Sequence, residues 1–88
     1  MALVRFYAEL RQRAREKEAR IDAESISALI DRLFYTHRDV YEAILEEGAL
    51  RPYVRIFVNG RDITFLSGLS TPIGPDDEVA FFPPVAGG

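Results

Sequence analysis

A helical stretch between residues 25 and 34 places the strongest constraint on how this chain folds. Its apolar side chains recur every three or four residues, so they form one stripe along a helix. The stripe consists of Ile26, Leu29, Ile30, Leu33 and Phe34. Ser25 stands just before it, and serine is a preferred N-cap because its hydroxyl accepts a hydrogen bond from a free backbone N–H. One such helix in a chain of 88 residues must cover a flat apolar surface, which predicts an α+β roll whose sheet packs on that helix.

Several segments alternate in the manner of half-buried strands. The clearest are Leu3–Ala8, Tyr53–Val58 and Glu78–Phe82. A segment around Ala19–Ala23 is expected to pair back with the first strand. Ile63–Leu66 is expected to return from a type I′ turn at Asn59-Gly60, because both central residues of that turn need a positive φ. The predicted sheet is therefore mixed and has four to five strands.

Charged residues identify the outer face of this sheet. Arg5 shares the outer face of its strand with Tyr7, and Arg55 shares the outer face of another strand with Phe57, because every second strand residue points the same way. These two aromatic side chains are therefore expected to point away from the helix.

The same alternation separates two adjacent aromatic residues in the last strand. Phe81 and Phe82 must point to opposite faces. Val79 and Phe81 form the bulkier pair and are assigned to the core, which leaves Ala80 and Phe82 outward. On the first strand, Ala8 is assigned to the core side together with Phe6.

The connecting segments are less regular. Glu9–Arg20 mixes basic and acidic residues, and such a run is typical of a solvated loop more than of a contact with RNA or an acidic partner. A short second helix is predicted over Val40–Glu47, ending at Gly48. The loop after the hairpin is expected to be anchored by Leu69 and Ile73.

Composition excludes several kinds of chemistry. The chain has no cysteine, which removes disulfides, thiol nucleophiles and cysteine-ligated zinc. His37, the only histidine, is expected to be an exposed residue at a helix end. A net charge of −3 argues against general nucleic-acid binding. The sequence also lacks a membrane-length apolar run and a signal-peptide pattern, so we expect a cytoplasmic protein that binds no membrane and forms one domain over residues 1–88.

The segment from Pro83 to Gly88 is the unusual part of the chain. Two prolines favour polyproline II, so residues 83–88 are expected to leave the domain as a stiff, extended tail. Gly87 and Gly88 have no Cβ and can enter a slot too narrow for other residues. The Gly88 carboxylate would then be a reactive group, although a frayed terminus ending in glycines is the simpler interpretation of this segment alone.

Residues 77–88, Asp-Glu-Val-Ala-Phe-Phe-Pro-Pro-Val-Ala-Gly-Gly, closely resemble the C-terminal segment of the MoaD/ThiS family of sulfur carriers, especially the small subunit of molybdopterin synthase. Residues 4–11 resemble the first strand of that family, and Val58-Asn59-Gly60 resembles its central hairpin. One departure is Asp76, which stands where family members commonly have glycine, and we expect it to tolerate a left-handed backbone conformation.

The resemblance implies a ubiquitin-like β-grasp fold and a carrier function. An E1-like activating enzyme would adenylate the Gly88 carboxylate, using ATP and magnesium that this chain does not itself bind, and a sulfur donor protein would supply sulfur for a thiocarboxylate. The tail would insert into the large subunit of molybdopterin synthase. Besides Gly88, this tail comprises Pro83, Pro84, Val85, Ala86 and Gly87. The catalytic residues would lie in the partners, so this chain would be a non-catalytic subunit.

A β-grasp also places the last strand between the first and the third. Tyr7, Phe57 and Phe82 then become neighbours beside the tail, flanked by Arg5 and Arg55. We expect this group to bind both the activating enzyme and the large subunit.

Two other functions remain open at this point. A ubiquitin-like modifier would join Gly88 to lysines of other proteins, and a carrier for tRNA thiolation would use the same activation. A plain interaction module with an incidental tail is a third alternative.

Overall fold

The amphipathic helix lies across one face of a five-stranded sheet in the computed structural model, which describes residues 1–84. The elements in chain order are β1 (Ala2–Phe6), α1 (Glu9–Ala14), β2 (Glu18–Ile21), α2 (Ile26–Thr36), α3 (Arg38–Ile44), β3 (Leu45–Glu46), β4 (Ala49–Leu50), β5 (Arg55–Val58), β6 (Arg61–Asp62) and β7 (Glu78–Phe82). Two 3-10 turns, Ile63–Phe65 and Gly68–Ser70, lie between β6 and β7.

The strand order in the main sheet is β2-β1-β7-β5-β6. The two central strands, β1 and β7, are parallel and pair Val4 with Val79, whereas the other neighbours are antiparallel. Strands β3 and β4 form a separate hairpin. This arrangement confirms the expected mixed sheet, including the position of the last strand between the first and the third long strands.

The core forms between the inner face of the sheet and α2. Phe6 and Phe81 contribute the largest buried rings, and their centroids are 6.4 Å apart. Leu29 and Leu33 of α2 are fully buried as well, while Phe34 at the edge of the stripe is half-buried. At the start of α2 the Ser25 hydroxyl accepts a hydrogen bond from the backbone N–H of Ala28 at 3.1 Å, which confirms the predicted cap.

The prediction of a solvated loop over residues 9–20 is wrong, whereas the segment predicted around Ala19–Ala23 does pair with β1, as strand β2. Residues 9–20 contain helix α1 and most of strand β2, and Leu10 is completely buried. The helix is only six residues long and places just Leu10 and the partly buried Ala14 against the core, so no long apolar stripe reveals it. Ala8 is also not a core residue, because the chain leaves β1 before it and Ala8 adopts φ 52° on the surface.

The short second helix lies in the region predicted for it, but the predicted end is wrong. Helix α3 stops at Ile44 instead of continuing to Glu47, because Leu45 turns to an extended conformation and begins the β3–β4 hairpin. Gly48 therefore lies in the turn of that hairpin at φ +82°, where positive φ favours glycine.

The β5–β6 turn has the expected geometry, with φ 51° at Asn59 and 84° at Gly60. The strand that returns from it is shorter than predicted: it ends at Asp62, and a 3-10 turn occupies most of the expected Ile63–Leu66 strand. Leu69 is 43% exposed and anchors nothing, whereas Ile73 is buried as expected.

His37 lies between α2 and α3 and is less exposed than predicted. Its side chain is only 11% exposed, its ring centroid is 5.1 Å from that of Phe6, and its Nε2 is 2.6 Å from the Glu16 carboxylate. The ring therefore helps to connect the turn after α1 to the helix junction.

Candidate functional site

Three outward aromatic side chains meet on the face of the sheet opposite α2. Tyr7 stacks on Phe82 with ring centroids 4.5 Å apart, and Phe57 meets the other side of Phe82 edge-on at 5.5 Å. We call Tyr7, Phe57 and Phe82 the aromatic patch. Each ring is half-buried, mainly because the three rings cover one another. The structure thus brings together the three aromatic residues that the strand pattern assigned outward.

A small residue in the middle of the sheet opens a pocket in this patch. Ala80 pairs with Arg5 on β1 and with Phe57 on β5, so its short side chain lies between longer ones on the outer face. The resulting surface pocket has a volume of about 250 Å³, and Gly60 and Glu78 complete its lining. Sequence reasoning did not single out Ala80, although an alanine between bulky outward neighbours was a usable signal.

The two arginines beside the patch are paired with carboxylates. Arg5 Nε lies 3.5 Å from Glu78 and 3.9 Å from Glu18. Arg55 Nη1 lies 3.2 Å from Asp62. The surroundings of the patch are therefore of mixed charge, and the expected flanking cations are largely balanced by neighbouring acids.

Asp62 is the most enclosed acid in this region, with a side chain only 9% exposed. Its carboxylate accepts hydrogen bonds of 2.9 Å from the backbone N–H and the hydroxyl of Thr64, and one of 3.2 Å from Arg55. The backbone hydrogen bond from Thr64 is the main cause that lowers the pKa of Asp62 below its usual value. Asp62 thereby fixes both the 3-10 turn that follows β6 and the Arg55 side chain at the patch.

Acidification is expected to remove the contribution of Asp62 to stability. Because its pKa is lower in the folded chain than in the unfolded one, the stabilisation is complete above the unfolded pKa of about 3.9 and is lost as the pH falls through the folded value. Asp62→Asn should lower the free energy of unfolding by about 1–2 kcal/mol at pH 7. Urea denaturation of both proteins at neutral pH and near pH 2.5 measures this, and a difference that does not shrink in acid would contradict the assignment.

Asn59 joins the hairpin to the start of the last strand. Its side chain accepts a hydrogen bond from the Glu78 N–H at 2.9 Å and donates one to Asp77 at 2.9 Å. Asp77 also accepts from the Gly74 N–H at 2.7 Å, and these contacts hold its pKa below the usual value, the Asn59 hydrogen bond being the larger cause. Two segments that carried the family resemblance are therefore in direct contact. Asp76 does not adopt a positive φ, so the left-handed conformation that it was expected to tolerate is not required at this position.

Strand β7 carries the chain from the patch into the predicted tail. Phe82 is its last residue, and Pro83 directly after it is buried, so Pro83 belongs to the folded domain instead of a free arm. Pro84 is half-buried. The predicted roles of Val85, Ala86, Gly87 and Gly88 fall outside the described residues.

Two negative findings apply to residues 1–84. This part of the chain contains no group of three or more His, Asp or Glu side chains arranged to hold a metal ion. None of its helices is long and apolar enough to cross a membrane.

Comparison with known sequences identifies relatives of two kinds. Small archaeal modifier protein 3 of Haloferax volcanii is 31% identical over 88 residues, which cover 97% of this chain and 96% of the relative. The sulfur carrier protein CysO of Mycobacterium tuberculosis is 32% identical over 76 residues, which cover 83% of this chain and 82% of the relative.

Solved structures confirm the ubiquitin-like β-grasp fold. Small archaeal modifier protein 1 of Methanosarcina acetivorans superposes with a TM-score of 0.90 at 29% identity, covering 99% of this chain and 95% of that one. A chain in the BexX/CysO complex of Amycolatopsis orientalis gives 0.86 at 25% identity with complete coverage of both chains. A Pyrococcus furiosus structure, assigned provisionally as molybdopterin converting factor subunit 1, gives 0.76 at 28% identity, covering 96% and 97%.

Relatives of this chain thus include a protein solved in complex with a partner, as the BexX/CysO structure shows. The model of the ThiS family matches residues 4–88. Together with the relatives above, this match shows that the chain belongs to the ThiS/MoaD family, whose members found here are sulfur carriers and small modifiers.

Proposed function

We propose that this protein is a sulfur carrier whose Gly88 carboxylate is adenylated and then converted to a thiocarboxylate. The observation that carries the proposal is the course of β7, which leads from the aromatic patch directly into Pro83 and the residues that resemble the carriers' C-terminal segment. A docking surface at the base of the segment is what a carrier needs if other enzymes are to act on its end.

The chemistry explains why partners are required. A carboxylate is a poor electrophile until its oxygen attacks ATP and pyrophosphate leaves, which gives an acyl-adenylate with AMP as a good leaving group. Sulfide supplied by a sulfur donor protein then attacks the carbonyl carbon. A C–S bond forms, and the bond from carbon to the AMP oxygen breaks with its electron pair leaving on AMP. Because the chain has no cysteine, the transferred sulfur resides on the terminal carbon. ATP and magnesium belong to the E1-like activating enzyme.

The aromatic patch is the proposed docking surface for that enzyme. Binding hot spots are enriched in aromatic residues that sit in well-packed surroundings, and Phe82 is packed between two other rings. The pocket over Ala80 offers space for a side chain of the partner.

Molybdopterin synthesis is the proposed destination of the sulfur, with the carrier acting as the small subunit beside the large one. The resemblance of residues 77–88 and the likeness to the Pyrococcus furiosus structure support this destination. The match to CysO supports the function of a sulfur carrier, but it does not bear on molybdopterin synthesis as the destination of the sulfur.

A small modifier is the second candidate function. The likeness to two small archaeal modifier proteins, one of them along nearly the whole chain, favours it. In that case an amine takes the place of sulfur at the adenylate, and an isopeptide bond forms.

Intact-mass measurement of the protein purified from its native host separates these candidates. Replacement of one terminal oxygen by sulfur is the expected result for the carrier. A modifier instead appears as adducts linked to lysines of other proteins. An unmodified mass, obtained under conditions in which the activating enzyme is present and active, would contradict both.

A further inference from the structure

Lysine is almost absent from this chain. Of the 11 lysine and arginine residues, only Lys17 is a lysine. The difference between lysine and arginine matters beside an activated carboxyl group. The arginine guanidinium stays protonated in proteins and does not act as a nucleophile, whereas a lysine amine does so after it loses a proton. Apart from the α-amino group of the first residue, Lys17 is thus the only amine on this chain that can attack an acyl-adenylate.

Lys17 is held at a fixed place while its side chain stays accessible. Its carbonyl accepts a hydrogen bond of 2.9 Å from the Phe6 N–H, which ties its backbone to the edge of β1. The residue itself is exposed in the turn between α1 and β2. Arg15 starts this turn in the left-handed conformation at φ 64°.

The neighbouring acids are engaged elsewhere. Glu16 contacts His37 at 2.6 Å, and Glu18 contacts Arg5 at 3.9 Å. Across residues 1–84 no ion pair is present for the Lys17 ammonium. The amine is therefore not tied to the carboxylates on either side of it.

Lys17 also lies beside the aromatic patch. It lines a second surface pocket together with Tyr7 and Arg5, and Tyr7 is the ring that stacks on Phe82. Lys17 therefore lies next to the patch, on the side of Tyr7, and is not one of the three residues proposed to bind the activating enzyme.

From these observations we infer that Lys17 is an acceptor site at which this chain is joined to the activated C-terminus of a second copy of itself. The inference rests on the proposed activation of Gly88. In the step, the neutral Lys17 Nζ attacks the carbonyl carbon of the Gly88 acyl-adenylate. A C–N bond forms, the bond from carbon to the AMP oxygen breaks with its electron pair leaving on AMP, and the amine proton passes to solvent.

The test uses the full chain, ATP, magnesium and the activating enzyme of the same host, with denaturing electrophoresis and mass spectrometry to detect linked pairs. We expect a linked species whose branched peptide maps to Lys17. Lys17→Arg keeps the charge and removes the nucleophile, so the linked species should be lost while ATP–pyrophosphate exchange, which reports Gly88 activation, stays unchanged.

A second variant tests the position of the amine. Lys17→Arg combined with Arg20→Lys moves the only lysine to another exposed position, on strand β2, and we expect it not to restore linking. Four results would overturn this inference but not the proposed activation. In three of them linking persists in Lys17→Arg, maps to the first residue, or returns fully in the double variant; the fourth result is normal exchange without any linking. Absence of exchange in the unaltered protein would instead overturn the proposed activation.

Discussion

Deletion of Gly88 is expected to abolish thiocarboxylate formation while leaving the free energy of unfolding unchanged. The deletion keeps a glycine carboxylate but moves it back by one residue, about 3.3 Å in an extended chain. A displacement of about 1 Å can already cost roughly 100-fold when a reaction depends on orientation, so the rate of adenylation should fall at least that far. The core residues from Ala2 to Phe81 are untouched, so no packing is lost among them.

The measurement is ATP–pyrophosphate exchange with the activating enzyme, accompanied by urea denaturation. Gly88→Ala is the matched control, since it leaves the carboxylate at the same position along the chain and adds one methyl group. A large loss in this control as well would indicate a narrow slot around the last residue. Normal adenylation of the deleted protein would contradict the proposed role of Gly88.

Alanine substitutions at two adjacent residues, Phe81 and Phe82, are expected to separate stability from binding. The Phe81 ring is completely buried, and replacement of a buried phenylalanine by alanine costs about 3–5 kcal/mol. A small domain has a total stability toward the low end of about 5–15 kcal/mol, so Phe81→Ala should leave little folded protein at 37 °C. Urea or thermal denaturation followed by circular dichroism measures this.

Phe82→Ala should instead weaken binding to the activating enzyme more than it lowers the stability of the fold. Loss of its two aromatic contacts should cost only about 1–2 kcal/mol of stability, because the ring is half-buried on the outer face. Affinity for the activating enzyme should fall by about 2 kcal/mol or more, roughly 30-fold, if Phe82 is the centre of the docking surface.

Tyr35→Ala is the control for this pair. Tyr35 is 81% exposed on α2, on the opposite face of the sheet from the patch, and its ring meets that of Phe34 edge-on at 5.1 Å. Its removal should therefore cost at most about 1 kcal/mol of stability and leave the affinity for the enzyme unchanged. Unfolding of Phe82→Ala to the extent seen for Phe81→Ala, or unchanged affinity for the enzyme, would show that Phe82 is a structural residue.

The sequence predicted well those features that depend on local geometry. Successive residues of a strand point to opposite faces of the sheet, so the side chains of Phe81 and Phe82 had to lie on different faces. Asn59-Gly60 is among the few dipeptides that suit a type I′ turn. The position of the aromatic patch followed once the strand order was supplied by the family resemblance.

The features that were missed depend on contacts that form only after the chain has turned or folded. Helix α1 packs on the core through Leu10 and Ala14, and two apolar residues among charged ones produce only a weak periodic signal. Asp62 gave no signal either, because its three hydrogen bonds come from Thr64 and Arg55 after the chain has turned. The acids that balance Arg5 lie on two different neighbouring strands, so the charge of the patch could not be read from β1 alone.

The parallel pairing of β1 with β7 has a consequence for the order of events after synthesis. Leu3 pairs with Glu78, so the centre of the sheet cannot form until nearly the whole chain has been made, and such non-local pairing makes folding comparatively slow. Tyr7 and Phe82 stack only after this pairing. A newly released or misfolded chain would therefore carry the Gly-Gly end without an assembled docking surface. An activating enzyme that needs both would spend ATP only on carriers that have completed folding.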